Sequence, residues 1–249
     1  MAETIDRGDG IALAYVRTAG RGPTAVFLPG YKSDMTGAKA LETEAFCRRH
    51  GLPCLRLDYS GHGASGGRFE DGTITGWTDD ALFLIDRLTH GDLVLIGSSM
   101  GGWIALLAAL ARPDRVIGLI GIAAAPDFTE TLMWESMTPA ERATLMADGV
   151  LQVPSEYGDP YPVTRRLIED GRTRLLLGAA IPLACPVRLL QGQRDPDVPW
   201  QTALRLAERL EAEDVRVTLV KDGDHRLSRP QDLLLLGEAL ASLLLEDGP

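Results

Sequence analysis

DLVLIGSSMGGWIALLAALARP, residues 92–113, is the stretch of this sequence that decides the fold. Residues 92–98 are almost wholly apolar, which is typical of a strand covered on both faces of a sheet. From Met100 onward, apolar residues fill nearly the whole circumference of a helical pattern, which predicts a helix inside the core. GSSMG at residues 97–101 is a GxSxG motif that closes the strand and opens the helix. The sequence therefore predicts a sharp strand-to-helix turn at the edge of a sheet.

Ser99, the central residue of this motif, is the candidate nucleophile. A turn this tight has no room for side chains at the flanking positions and holds its middle residue in strained backbone angles. Gly97 and Gly101 meet that requirement. We expect Ser99 to project its hydroxyl from the carboxyl edge of the sheet, at a helix N-terminus that favours developing negative charge. The alternative is a serine that only caps the helix, and the motif alone does not exclude it.

Short β-rich runs alternate with helical patterns on both sides of this stretch. The alternation predicts an α/β fold with a mostly parallel central sheet and helices on both faces. Because the runs at 24–30, 92–98 and 116–125 are the most apolar, they should be the central strands. The other runs are 53–59, 186–192 and 215–222, and helical patterns cover 35–51, 73–91, 199–211 and 231–246.

The alternation breaks between about residues 127 and 181, where four prolines separate short amphipathic pieces. We interpret the chain as a single domain, 1–249, with a small cap inserted at 127–181. Trp134, Met133 and Met137 of this segment are candidates for a substrate pocket. Apolar residues at helical spacing more often pack against their own domain, so this assignment has a structural alternative.

A serine hydroxyl needs a base at neutral pH, and the sequence offers four histidines. His50 and His90 each precede a glycine at the end of a helical pattern, where histidine commonly favours the helix dipole. His62 lies in the loop GHGAS and is interpreted as a wall of the site. His225 follows the run 215–222 and precedes the last helix, which completes the order Ser, Asp, His. We predict that His225 is the base.

The acid that orients the base should follow a strand between Ser99 and His225. GQRDPDVPW, residues 192–200, offers Asp195 and Asp197. The GxxDxxVP spacing favours Asp195 as the acid, and Asp197 is interpreted as a turn or cap residue before the next helix. Asp197 remains the alternative acid.

Two backbone N–H groups should form an oxyanion hole. One belongs to the residue after the nucleophile, Met100, and the other to the loop after the strand 24–30, where Gly30 precedes Tyr31. The loop LPGYKSD lacks the His-Gly pair found there in many proteins with this motif, so Tyr31 is the less secure of the two donors.

Beyond these motifs, the sequence resembles the abhydrolase domain-containing protein 10 family of α/β-hydrolases over about residues 24–235. The resemblance is carried by FLPGYKSDMTGAKALETEAFCRRHG, LRLDYSGHGASGG, IGSSMGGWIALLAALARPDRVIGLIGIAA, CPVRLLQGQRDPDVPW and DHRLS. It implies an α/β-hydrolase fold, palmitoyl-protein thioesterase or acyl-glucuronide esterase activity, and Ser99, Asp195 and His225 as the triad. The sequence differs from the family in its cap and in lacking the mitochondrial presequence. We therefore expect a bacterial, cytoplasmic relative of undetermined acyl specificity.

The predicted function is a serine hydrolase that cleaves carboxylic esters or thioesters, including S-acylated proteins, through an acyl-enzyme and without metal or cofactor. A cofactor-free perhydrolase or haloperoxidase with the same triad is an alternative, as is a non-catalytic binding protein with this fold. Serine at the centre of the strand-to-helix turn argues against an enzyme of this fold with an aspartate nucleophile. GHGASG at 61–66 resembles a dinucleotide loop, but further glycines follow it instead of a helix.

The composition of the chain limits the binding partners and the cellular location that we expect for the protein. The formal net charge is −10 and no window collects the Lys and Arg residues, which argues against nucleic acid and anionic membrane surfaces as partners. The three cysteines show no CxxC spacing, so neither a disulfide framework nor a zinc site is predicted. Charged or glycine residues interrupt every apolar stretch, so no membrane span is predicted. We expect a cytoplasmic monomer or homodimer.

Overall fold

The computed structural model of the protein describes residues 2–155 and 158–245. Within them the chain forms ten strands: β1 Glu3–Asp6, β2 Ala12–Thr18, β3 Thr24–Leu28, β4 Cys54–Leu57, β5 Leu93–Ser98, β6 Val116–Ile122, β7 Val150–Ser155, β8 Gly158–Thr164, β9 Val187–Gly192 and β10 Val215–Val220. The same residues form seven α-helices: α1 Ala38–His50, α2 Ile74–Leu88, α3 Met100–Ala111, α4 Pro139–Asp148, α5 Arg165–Gly171, α6 Gln201–Arg209 and α7 Pro230–Leu244. Among these residues, no helix combines the length and the apolar character needed to cross a bilayer.

Eight strands form one sheet in the order β1-β2-β4-β3-β5-β6-β9-β10. Neighbouring strands are parallel from β4 to β10, and β2 is antiparallel to both β1 and β4. The prediction of a mostly parallel sheet is confirmed. The three most apolar runs, now β3, β5 and β6, lie side by side at its centre, as expected of strands covered on both faces.

The two outer strands β1 and β2 were not predicted from the sequence. β1 is mostly exposed and polar, and two of the seven residues of β2 are alanines, which strands disfavour. β1 is the edge strand and packs on fewer neighbours than a central one, which explains its weak signal, and β2 lies between β1 and β4.

Helices cover both faces of the sheet. Alternate side chains of the central strands enter two separate cores, with Val26, Leu95 and Leu119 in one and Phe27, Ile96 and Ile120 in the other. Residues of α2, α3 and α6 pack in the first core, and residues of α1 and α7 pack in the second. The prediction that α3 is buried is confirmed, because most of its residues have almost no contact with solvent.

The predicted end of the first helix is confirmed, and the predicted end of the second is wrong. α1 ends at His50, before Gly51 in the left-handed conformation, as predicted. The expectation that Gly91 closes α2 is wrong, because the helix ends at Leu88 and Thr89 turns into extended backbone. His90 therefore lies in the loop beyond the helix and has no helix-terminal role.

The β6–β9 connection, residues 123–186, holds a short π-helical segment at Thr129–Trp134, α4, the hairpin β7–β8 and α5. The carboxylate of Asp127 joins its two ends, because it accepts hydrogen bonds from the backbone N–H groups of Leu176 at 2.7 Å and Leu177 at 2.9 Å. Burial raises the pKa of Asp127. The hairpin was not predicted, since the prolines of this segment argue against strands. The interpretation of residues 127–181 as a cap on a single domain stays a prediction.

Side chains of β2, α1 and β4 form a partly buried ion cluster around Glu44, which consists of Thr18, Glu44, Arg48 and Arg56. Glu44 accepts hydrogen bonds from Thr18 at 2.8 Å and from Arg48 at 2.6 Å, and it forms an ion pair with Arg56 at 2.5 Å. Burial alone would raise the pKa of Glu44, but these three partners together outweigh it and lower the pKa from 4.5 to about 2.

Candidate active site

The turn between β5 and α3 holds Ser99 in a strained conformation, with φ 55° and ψ −121°. Both flanking glycines are required by close contacts. A Cβ on Gly97 would lie 2.2 Å from the carbonyl oxygen of Gly101, and one on Gly101 would lie 2.0 Å from the carbonyl oxygen of Leu28. Ser99 is the N-cap of α3, but its side chain makes no capping hydrogen bond. The backbone therefore has the nucleophile-elbow geometry, and the helix-capping alternative is not supported.

Ser99, His225 and Asp195 form a continuous hydrogen-bonded chain. Nδ1 of His225 lies 2.8 Å from Oδ2 of Asp195, and Nε2 of His225 lies 3.1 Å from Oγ of Ser99. Because an ionised carboxylate only accepts hydrogen bonds, Nδ1 must carry the proton and Nε2 is free to accept one from the serine. The three residues follow the carboxyl ends of β5, β10 and β9, so the parallel sheet brings them to one edge.

Asp195 is held by donors on every side. Its Oδ1 accepts the backbone N–H groups of Asp197 and Val198, each at 2.8 Å, and its Oδ2 also accepts Nε2 of Gln191 at 3.0 Å. The Asp195 side chain is fully buried, whereas Asp197 is exposed. A side-chain oxygen of Asp197 still lies within 4.8 Å of the other two groups, so the alternative acid is close but is not the one hydrogen-bonded to His225.

His62 is buried. Its ring is enclosed edge-on by Tyr59, Phe69 and Trp77, and its Nε2 accepts the backbone N–H of Lys32 at 3.3 Å. Burial lowers the pKa of His62 to about 4. His62 therefore supports the loop after β3 from behind, and the expectation that it forms a wall of the site is wrong.

The loop after β3 closely approaches the serine. A Cβ on Gly30 would lie 3.2 Å from the Cβ of Ser99, so the backbone that leads to Tyr31 passes beside the hydroxyl. Met100 is the first residue of α3, where N–H groups have no acceptor within the helix. This arrangement is compatible with Tyr31 and Met100 as the two oxyanion donors.

A cavity of about 960 Å³ opens above Ser99 and His225. The β6–β9 connection contributes an apolar wall to it, defined here as Phe128, Leu132, Met133 and Tyr161. The loops around the start of α1 and after β10 contribute polar and charged groups: Lys32, Asp34, Lys39, Asp224, Arg226 and Arg229. The cavity can therefore receive an acyl chain against one part of its lining and a polar leaving group against another.

Of the three predicted pocket residues, only Met133 lines this cavity. Met137 lies in a small separate core with Leu145, and Trp134 packs against it. The Trp134 ring also lies under two guanidinium groups, those of Arg172 at 4.5 Å and Arg142 at 5.1 Å. Trp134 and Met137 therefore pack against other residues of the β6–β9 connection and do not line the cavity, which was the alternative to a role in the substrate pocket.

Sequence reasoning missed Gln191, Lys39 and Asp127. Gln191 is, with Arg188, one of two polar side chains in a buried strand, which is a signal that it has a buried partner. Lys39 lines the cavity, its Nζ donates to the backbone carbonyl of Arg226 next to His225, and burial lowers its pKa to about 8. Nothing in the sequence distinguishes Lys39 from a lysine on an exposed helix face.

Comparisons with known proteins agree with the fold. Residues 25–234 match the family model described as alpha/beta hydrolase family. Palmitoyl-protein thioesterase ABHD10, mitochondrial, from Homo sapiens is 41% identical over 243 residues, which cover 96% of this chain and 79% of that protein.

Two solved structures are similar over 98% of both chains. A putative hydrolase from Agrobacterium vitis S4 has a TM-score of 0.93 at 45% identity, and alpha/beta hydrolase domain-containing protein 10 from mouse has a TM-score of 0.90 at 38% identity. Because the name of the human relative places that protein in mitochondria, the cytoplasmic location expected here stays a prediction.

Proposed function

This chain is a hydrolase of the alpha/beta hydrolase family, and we propose that it cleaves carboxylic esters or thioesters through an acyl-enzyme formed on Ser99. The observation that carries the proposal is the hydrogen-bonded chain from Ser99 through His225 to the buried carboxylate of Asp195. A serine hydroxyl that is hydrogen-bonded to a histidine base can act as a nucleophile toward an acyl group.

In the first step, Oγ of Ser99 attacks the substrate carbonyl carbon while Nε2 of His225 takes the serine proton. Asp195 stabilises the imidazolium and keeps its ring oriented. The N–H groups of Met100 and Tyr31 donate to the oxyanion, and the positive end of α3 adds to their effect. The tetrahedral intermediate collapses as His225 returns its proton to the leaving alcohol or thiol, which leaves Ser99 acylated.

In the second step, a water molecule takes the place of the leaving group. His225 removes a proton from that water as it attacks the acyl carbon, and the second tetrahedral intermediate then releases the carboxylic acid and regenerates the Ser99 hydroxyl. Each bond made or broken involves only substrate, water and these side chains, so the mechanism needs no metal or cofactor.

The substrate class we favour carries a long acyl chain, as in an S-acylated protein. Support comes from the apolar wall beside Ser99, from the size of the cavity, and from the thioesterase name of the human relative. In this proposal the β6–β9 connection is the cap on a single catalytic domain and sets chain-length preference. An acyl glucuronide is the alternative substrate, because the charged groups in the cavity lining suit a polar leaving group.

A fluorophosphonate probe and intact-mass analysis test the proposal. The wild-type protein should gain one covalent adduct, Ser99→Ala should gain none, and Ser98→Ala should keep the adduct because Ser98 is not hydrogen-bonded to His225. No adduct on the wild type would contradict the proposal. Hydrolysis rates on p-nitrophenyl esters, acyl-CoA thioesters, S-acylated peptides and acyl glucuronides then rank the substrate classes.

A further inference from the structure

Tyr31 connects two parts of the active site that are far apart in sequence. Its backbone follows Gly30 beside Ser99, where its N–H is the proposed oxyanion donor. Its phenol O–H donates to the backbone carbonyl of Pro162 on β8 at 2.8 Å. One residue therefore joins the oxyanion loop directly to the β6–β9 connection.

The Tyr31 ring is enclosed by four other aromatic rings. Two of these, Phe128 and Tyr161, belong to the apolar wall, and each has its centroid 5.8 Å from that of Tyr31 in an edge-on arrangement. The other two, Phe69 at 4.8 Å and Trp77 at 5.8 Å, belong to the body of the domain. Tyr31 thus fills the junction between the connection and the body, and edge-on pairs of this kind fix ring positions.

The Tyr31 hydroxyl acts as a permanent donor. Burial raises the pKa of Tyr31 far above the ordinary 10, so the phenol stays protonated at any pH at which the protein works. A change in the position of β8 is therefore passed to Tyr31 through its hydrogen bond, and a shift of Phe128 or Tyr161 is passed to it through ring contact.

We propose that Tyr31 is a positioning residue that couples the occupancy of the apolar wall to the placement of its own backbone N–H in the oxyanion hole. The coupling rests on the proposed function. An acyl chain that packs on Phe128, Leu132, Met133 and Tyr161 fixes the rings around Tyr31, and the fixed side chain holds the N–H at the distance the oxyanion needs. A short acyl group leaves the wall empty and lacks this effect.

Tyr31→Phe tests the coupling because it keeps the ring and removes only the hydroxyl. On p-nitrophenyl octanoate we expect kcat to fall by about tenfold to a hundredfold with KM changed less than threefold, since a misplaced donor weakens only the transition state. On p-nitrophenyl acetate the loss should be smaller, so the octanoate-to-acetate ratio of kcat falls. Amides of β8 should exchange hydrogen faster than in the wild type.

Tyr15→Phe is the matched control. It also removes a phenol hydrogen bond, to Glu3 at 3.4 Å, but lies on β2, near the far edge of the sheet from Ser99. It should leave both rates and the β8 exchange unchanged. An unchanged kcat in Tyr31→Phe, an equal loss on both esters, or unchanged exchange in β8 would each overturn the coupling.

Ser99→Ala separates failure of the coupling from failure of the proposed function. If the wild type hydrolyses the esters and Ser99→Ala does not, the proposed function stands and Tyr31→Phe alone decides the coupling. If the wild type hydrolyses neither ester and takes up no fluorophosphonate, the proposed function fails and the coupling fails with it.

Discussion

Asp195→Asn should abolish most of the activity through a change of histidine tautomer. All four neighbours of the Asp195 carboxylate are donors: two backbone N–H groups at Oδ1, and Gln191 and His225 at Oδ2. An asparagine has one accepting oxygen and one donating NH₂ group, so two of these neighbours must face a donor.

The geometry indicates which two neighbours lose their acceptor. The backbone N–H groups of Asp197 and Val198 are fixed by the turn, so the asparagine oxygen should face them and its NH₂ group should face His225. Nδ1 of His225 must then accept, which puts the ring proton on Nε2, and Nε2 can no longer take the proton of Ser99. The equivalent substitution in a Ser-His-Asp protease lowers kcat by about 10⁴. That factor corresponds to roughly 5.5 kcal/mol of transition-state stabilisation.

The assay is the hydrolysis of p-nitrophenyl octanoate at pH 7.5, with the fluorophosphonate labelling rate as a second readout. We expect kcat and the labelling rate to fall together while KM changes little, because substrate binding does not depend on the tautomer. Asp197→Asn is the control, since the hydrogen bond from Asp197 to Asp195 comes from its backbone N–H, which the substitution keeps, and its kcat should stay within about threefold. Full activity in Asp195→Asn together with loss in Asp197→Asn would refute the acid assignment.

Two further predictions concern the histidines and the ion cluster around Glu44. His225→Ala should lower kcat by more than about 10³, whereas His62→Ala should lower the melting temperature and keep substantial turnover; the reverse pattern would show that the base is misassigned. Because the pKa of Glu44 is about 2 when folded and near 4.5 when unfolded, its stabilisation is complete above pH 4.5 and disappears as pH falls through 2. In urea unfolding at pH 7, Glu44→Gln should lower the free energy of unfolding by about 2 kcal/mol after allowance for screening at the exposed Arg48. Glu42→Gln should lower it by less than about 0.5 kcal/mol. Equal losses in the two glutamine variants would contradict the linkage.

The arrangement of the proposed triad could be predicted because the position of each member follows from a motif or from the end of a strand. Gly97 is required by a contact with Gly101 inside the turn, whereas Gly101 is required by the carbonyl oxygen of Leu28 on the neighbouring strand β3, and both glycines lie within two residues of Ser99 in the sequence. His225 and Asp195 follow strands of a parallel sheet, whose carboxyl ends necessarily meet at one edge. Choosing Asp195 over Asp197 depended on spacing, and the burial of the Asp195 side chain agrees with that choice.

The lining of the cavity could not be predicted with the same success. Met133 and Trp134 are neighbours in sequence and similar in character, yet one lines the cavity and the other has its ring against two guanidinium groups. The difference arises from how the β6–β9 connection folds on itself, which depends on long-range contacts such as those of Asp127. The hairpin β7–β8 could not be predicted for a related reason. Its two strands pair with each other and tolerate prolines that a central strand excludes, so the prolines argued against strands here.

The contact of Asp127 with Leu176 and Leu177 has a consequence for protein engineering. A single carboxylate closes the two ends of the β6–β9 connection at one point on the sheet, so everything between them is a loop with a fixed base. Segments of other lengths can be grafted onto that base without altering the sheet, provided that Asp127, the two amides and the apolar side chains that pack in the first core, such as Phe128 and Leu167, are kept. Exchange of this segment is therefore the route we would choose to redirect substrate preference while leaving Ser99, His225 and Asp195 untouched.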